Sequence, residues 1–167
     1  MWTKLHWVPG PWPGRLALAA RPRGGDWLAD EMSNWSRAGI RTVLSLLTPE
    51  EEEDLDLGAE KAEAESRGMD FLAFPIPDRQ VPYSEAAMTS TVEALHAALS
   101  AGKDVVVHCR QGVGRAGLVS ACLLVFKGLS AEDAVARLGA ARRAPIPETP
   151  EQRRWIDGYA ANFAGAR

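Results

Sequence analysis

Cys109 ends the apolar, β-branched run Val105-Val106-Val107-His108, and Arg110-Gln111-Gly112-Val113-Gly114-Arg115 follows it before an apolar stretch to Lys127. A buried strand, a glycine-rich loop and a helix start, in that order, build an anion site. Gly112 and Gly114 let the backbone turn sharply, so that successive N–H groups can point inward as a nest. The helix beginning near Arg115 aims its unsatisfied N–H groups and positive dipole end at the same spot. Arg115 adds a fixed cation whose planar fork suits two phosphate oxygens. A cysteine in that field is favoured as the thiolate, so the expected product is a nucleophile beside a bound oxyanion. Asp78 follows a second apolar run, Phe71 to Ile76. If the two strands are parallel, it emerges at the same sheet edge as Cys109, where it could protonate a departing oxygen.

Several alternating elements must position these residues. Residues 15–20, 41–47, 71–76 and 104–109 read as strands. Asp26 is a candidate N-cap for a helix to about Ala38, stopped by Gly39. Thr48-Pro49-Glu50-Glu51 forms a capping box with proline at the first helical position, and the acidic run 50–54 then complements the dipole and faces solvent. Further helices are expected from Ser84 to about Ala101, from the glycine loop to Lys127, from Ser130-x-x-Asp133 onward and from Thr149-x-x-Gln152 onward. Strands alternating with helices imply one α/β domain over residues 1–167, with a central, mainly parallel sheet of four to five strands flanked by helices. Ligands of such a sheet bind outside the carboxyl ends of its strands, where Cys109 lies.

Other readings compete at individual positions. Gly112-Val113-Gly114-Arg115-Ala116-Gly117 matches the dinucleotide fingerprint G-x-G-x-x-G, but a helix at Ser130 follows where a strand and an acidic residue should. Cys122, on the apolar face of its helix, reads as a small core hydrophobe. His108 is either a hydrogen-bonding support for the cysteine or an ordinary packed strand histidine. The pairs at 142–143 and 153–154 are most simply solvated arginines.

His108-Cys109-Arg110-Gln111-Gly112-Val113-Gly114-Arg115 resembles the H-C-x-x-G-x-x-R loop of cysteine-based protein tyrosine and dual-specificity phosphatases. Phe74-Pro75-Ile76-Pro77-Asp78-Arg79 is similar to that family's general-acid loop, and Thr149-Pro150-Glu151-Gln152 to a glutamine-bearing segment of some members. The chain's size resembles the compact kinase-associated type and its bacterial relatives. The resemblance implies a protein phosphatase that forms a phosphocysteine on Cys109, without metal or cofactor. Arg115 and the loop Arg110, Gln111, Gly112, Val113 and Gly114 would hold the phosphate, and Asp78 would be the general acid. Arg79 would help seat the acid loop or contact substrate. Gln152 would position the hydrolytic water, although its capping-box role stays open beside that one. Family members usually carry Ser or Thr directly after the arginine; here it is Ala116, which implies a slow second step. A weakly catalytic phosphoprotein-binding module and a rhodanese-like sulfurtransferase are the alternatives.

Composition narrows the partners. The chain has 167 residues, 46% of them hydrophobic, which suffices for a sizeable core. With 19 Lys+Arg against 22 Asp+Glu, the net charge of −3 disfavours a nucleic-acid binder. Two cysteines and three histidines make neither a disulfide framework nor a zinc site. The opening segment, broken by proline and glycine, reads as neither a signal peptide nor a membrane span, so a cytoplasmic protein acting on phosphorylated protein or peptide is expected. Trp2, Trp7 and Trp12 are expected to strap that segment to the domain.

Overall fold

The computed structural model describes residues 2–166; Met1 and Arg167, included in the single-domain reading, lie outside the described residues. Five strands, β1 (His6–Val8), β2 (Leu16–Ala19), β3 (Ile40–Ser45), β4 (Asp70–Ala73) and β5 (Asp104–His108), form one sheet in the order β1-β2-β5-β3-β4. All neighbours are parallel except β1 and β2. Among the described residues seven α-helices cover it: α1 (Leu28–Arg37), α2 (Pro49–Asp54), α3 (Glu60–Glu65), α4 (Glu85–Ser100), α5 (Arg115–Lys127), α6 (Ala131–Arg142) and α7 (Pro150–Ala166). The molecule is a single α/β domain with a five-stranded, mostly parallel sheet.

The two-residue strand period divides the core into two layers. Leu16 and Leu18 of β2, with Val105 and Val107 of β5, face α4 to α7. Ala17, Ala19 and Val106 face α1 and α3, where the small alanines leave room for Met32 and Trp35. α4 buries Met88, Val92, Leu95 and Leu99, at helical spacing, whereas α5 is buried from Arg115 through Val125. β5 is central, with Ala19 and Ser45 level with His108 on either side, so its end opens into the crevice between two parallel neighbours.

Some expectations needed correction. The N-terminal segment is more than a strap: His6–Val8 pairs antiparallel with β2 and supplies the fifth strand. Trp12 is buried and Trp7 half-buried beneath Arg15, but Trp2 is 48% exposed and leans on Arg23. Asp26 caps nothing; it lies in a 3-10 turn (Gly25–Trp27), and α1 follows without a side-chain cap. α3 was not foreseen, because six residues entered from Ala59, with no capping side chain, carry too little signal. The regular part of β4 stops at Ala73, although Phe74 and Ile76 still donate backbone hydrogen bonds to Ser45 and Leu46. That extension carries the chain to Asp78 along the edge of the site.

Candidate active site

Cys109 leaves β5 into a loop that hugs the end of β2. Gly112 has φ +76°, and a Cβ there would lie 2.6 Å from the carbonyl carbon and oxygen of Ala19. Both the conformation and the close approach require glycine. Its N–H donates to Cys109 Sγ at 3.3 Å, and the thiol is 3% exposed. The loop's outer rim is tied down by the Arg21 N–H on the Arg110 carbonyl and by Arg142 Nη2 on the Gln111 carbonyl. Arg142 is therefore a loop support, not the freely solvated arginine expected. Gly114 precedes α5 with no capping side chain, so the helix start is open toward the loop. Cys109, Arg110, Gln111, Gly114 and Arg115 line a tight cavity of about 30 Å³ together with Asp78 and Glu148. Val113 is half-buried against the core, outside that lining.

Arg115 is 1% exposed. Its Nη1 donates to Glu51 Oε1 at 2.6 Å and to the Ile76 carbonyl at 2.8 Å; its Nη2 donates to Glu51 Oε2 at 2.9 Å and to Asp78 Oδ1 at 3.1 Å. Glu51 is also the capping-box residue of α2: its Oε1 accepts the Thr48 N–H at 3.1 Å, while its own N–H donates to Thr48 Oγ1. One carboxylate thus starts a helix and orients the site arginine. The capping box expected at Thr48 and Glu51 is formed, but Glu51 is buried rather than part of the solvated face of the acidic run 50–54. Burial alone would raise the Glu51 carboxyl, but hydrogen bonds from Arg115 and Thr48 outweigh it and hold it below its ordinary value. For Arg115, burial lowers the guanidinium, and Glu51, Cys109 and Asp78 more than reverse it.

Asp78 sits across the cavity with half its side chain exposed. Arg79 adopts φ +64° and pairs with Glu148 at 2.6 Å, joining the acid loop to the segment before α7. Gln152, fully buried, completes that joint. Its Oε1 accepts the N–H groups of Glu148 and Thr149, both at 3.1 Å, and its Nε2 donates to the Gln80 carbonyl at 3.1 Å. The capping box at Thr149 is therefore formed, with the glutamine also gripping the acid loop. Glu148 had no sequence signal beyond its closeness to Gln152.

His108 is fully buried, 2.6 Å through Nε2 from Glu60 Oε2, with Nδ1 3.4 Å from the Cys109 carbonyl. Ala116 is fully buried behind the loop. Cys122 lies in the core, where burial pushes its thiol well above the ordinary range.

A family model described as "Swiss Army Knife protein, DSP-PTPase phosphatase domain" matches residues 4–156, a span holding every residue of this cavity. The chain belongs to the dual-specificity phosphatase family. The fold of this phosphatase domain is similar to that of a kinase-associated phosphatase carrying serine for its catalytic-site cysteine, with TM-score 0.88 at 20% identity over 98% of this chain and 97% of that one. The protein tyrosine phosphatase PRL-1 of Leishmania major is 33% identical over 110 residues, 60% of this chain and 61% of that protein. An Arabidopsis thaliana relative, named as the phosphatidylinositol 3,4,5-trisphosphate 3-phosphatase and protein-tyrosine-phosphatase PTEN1, is 39% identical over 88 residues, 50% of this chain. The chain thus spans 21% and 61% of the lengths of these curated relatives. No described helix of this dual-specificity phosphatase is long and apolar enough to cross a membrane.

Proposed function

We propose that the protein hydrolyses phosphomonoesters on phosphorylated proteins or peptides, phosphotyrosine and also phosphoserine or phosphothreonine, through a phosphocysteine intermediate. Cys109 Sγ attacks phosphorus in line while Arg115 and the loop amides hold the equatorial oxygens, where charge develops. The phosphorus–oxygen bond to the leaving group breaks as Asp78 gives that oxygen its proton. Water then attacks the phosphocysteine, Asp78 takes its proton, and inorganic phosphate leaves with the thiolate restored. The observation that carries this reading is a tight cavity lined by a thiol, a fully oriented arginine and the Asp78 carboxylate.

Pure phosphate binding would need Arg115 but not Asp78, and sulfur transfer would need neither the arginine nor the acid at these positions. An inositol headgroup, the substrate in one relative's name, is less suited to a loop whose only basic residue besides Arg115 is Arg110. Both cysteines are free thiols, and a catalytic thiol persists best in a reducing compartment, which supports a cytoplasmic location.

The test is hydrolysis of an aryl phosphate by the wild type, Cys109→Ser and Asp78→Ala. Loss of all turnover in the first variant and a fall of about 10²–10⁴-fold in the second are expected. Turnover that survives Cys109→Ser would end the proposal. A panel of phosphotyrosine, phosphoserine and phosphothreonine peptides then reads the substrate preference.

A further inference from the structure

In a chain of net charge −3, one corner of the site carries cations that no carboxylate balances. Helix α6 packs along β1, with Arg137 Nη1 on the Pro9 carbonyl at 3.0 Å, and its C-terminal end reaches the Cys109 loop. There Arg142 Nη2 donates to the Gln111 carbonyl at 3.0 Å, while Arg142 Nε is buried without a hydrogen-bond partner. A guanidinium pinned through one nitrogen, with another left bare, keeps donors for an acceptor from outside the chain. Arg143, exposed, follows as the left-handed C-cap of α6 at φ +59°. Strand β1 runs antiparallel to β2, which brings the exposed Lys4, two residues before β1, to the same end of the sheet. Burial, then repulsion from Arg142 and Lys4, holds the His6 imidazole below its ordinary range, and no carboxylate opposes them. Among the described residues, no ion pair involves Arg142, Arg143 or Lys4.

The sheet order separates the charges, since β1 and β2 lie on one side of β5 and β3 and β4 on the other. Glu51 follows β3 and Asp78 follows β4, and Arg110 turns toward Glu51 at 3.7 Å. Glu148 is paired with Arg79. On the β1 side, Glu31 is 1% exposed and already accepts from Thr3 and Arg23. We propose that Arg142, with Arg143 and Lys4, forms an accessory anion subsite beside the Cys109 loop, which takes an acidic side chain next to the phosphorylated residue of a peptide substrate. Gln111, which anchors Arg142, is two residues from Cys109, at most about 7.6 Å between Cα atoms. An extended peptide advances about 3.3–3.6 Å per residue, so a carboxylate or second phosphate one or two residues along reaches the subsite. The carboxylates on the β3–β4 side disfavour a headgroup charged all round and suit a peptide whose negative charge lies on one side. The inference rests on the phosphatase reading and adds to it the class of peptide preferred.

The test compares phosphotyrosine peptides of one length that carry glutamate, a non-hydrolysable phosphonate or alanine at the neighbouring positions. An aryl phosphate, which fills only the cavity, serves as the reference. Wild type should turn over the two acidic peptides with kcat/KM on the order of fivefold to tenfold above the alanine peptide, and high salt should erase the gain. In Lys4→Gln/Arg143→Gln and in Arg142→Gln the acidic-to-alanine ratio should fall toward one, and Arg143→Glu should press it below one. A merely structural effect of Arg142 on the loop would lower every substrate alike and leave the ratio where it was, which would overturn its place in the subsite. Equal rates on acidic and alanine peptides, with aryl phosphate hydrolysis intact, would overturn the subsite alone. A wild type inert toward the aryl phosphate would overturn the phosphatase reading and the subsite with it. A soluble inositol bisphosphate preferred to the glutamate peptide, with that preference lost in the variants, would overturn the peptide assignment.

Discussion

The sharpest test of the site's construction is Glu51. Replacing it with alanine removes a two-point contact with Arg115 at 2.6 and 2.9 Å and the acceptor for the Thr48 N–H at 3.1 Å. It also leaves a guanidinium that is 1% exposed with the Ile76 carbonyl and the half-exposed Asp78 as its remaining partners. Removing one partner of a buried ion pair costs about 3–5 kcal/mol. Losing the cap adds about 0.5–2 kcal/mol. One carboxylate makes both contacts and keeps some exposure, so the two do not add fully, and about 4 kcal/mol is expected. Glu51→Gln keeps shape and one acceptor but loses the charge, for about 2 kcal/mol. Urea unfolding followed by tryptophan fluorescence measures both. Aryl phosphate kinetics and orthovanadate affinity report the site, where kcat/KM should fall on the order of 10²-fold as Arg115 loses its orientation.

The pH dependence has a definite sign. The Glu51 carboxyl lies below its ordinary 4.5 in the folded protein, so the unfolded chain binds more protons around that pH. Its stabilisation is whole above about pH 4.5 and is lost as pH falls through the lower folded value. Wild-type and Glu51→Gln stabilities should therefore converge in acid. A glutamine variant within about 0.5 kcal/mol of wild type at pH 7, with unchanged kcat/KM, would refute this account of how Arg115 is held.

Three further outcomes are expected. Ala116→Ser restores a hydroxyl beside the loop and should raise turnover while shrinking the pre-steady-state burst on an aryl phosphate; an unchanged burst and rate would remove Ala116 as the cause of a slow second step. Gln152→Ala leaves buried N–H groups of the capping box without their acceptor, so stability should fall by about 2 kcal/mol. An undiminished stability with accumulating phosphocysteine would instead favour the water-positioning role. Gly112→Ala puts a Cβ against the Ala19 carbonyl at φ +76°, so orthovanadate binding should weaken by more than about tenfold, and native-like affinity would contradict the loop geometry.

Much of the cavity was legible because its parts are close in sequence. A strand, two glycines, an arginine and a helix start within a few residues leave little freedom in how they fold, and the apolar run before Asp78 set its edge of the sheet. Cys122 could likewise be separated from Cys109, since one lies in an apolar helix and the other opens a glycine loop. The missing partners are carboxylates. Glu51 looked like one member of a solvated acidic run, and its capping box was readable, but nothing local indicates that the same carboxylate turns to Arg115, 64 positions away. Glu60 was hidden more completely, on a short uncapped helix with too little local pattern to reveal the histidine it meets.

Local pattern therefore determined the strand end, loop and helix start that bring Cys109 and Arg115 to one cavity, because strand period, glycine turns and helix starts are set by neighbouring residues. Tertiary structure alone decided which acids face the arginine and the histidine. Burial removes water as their competing partner, and only the packed sheet determines which side chains are buried together.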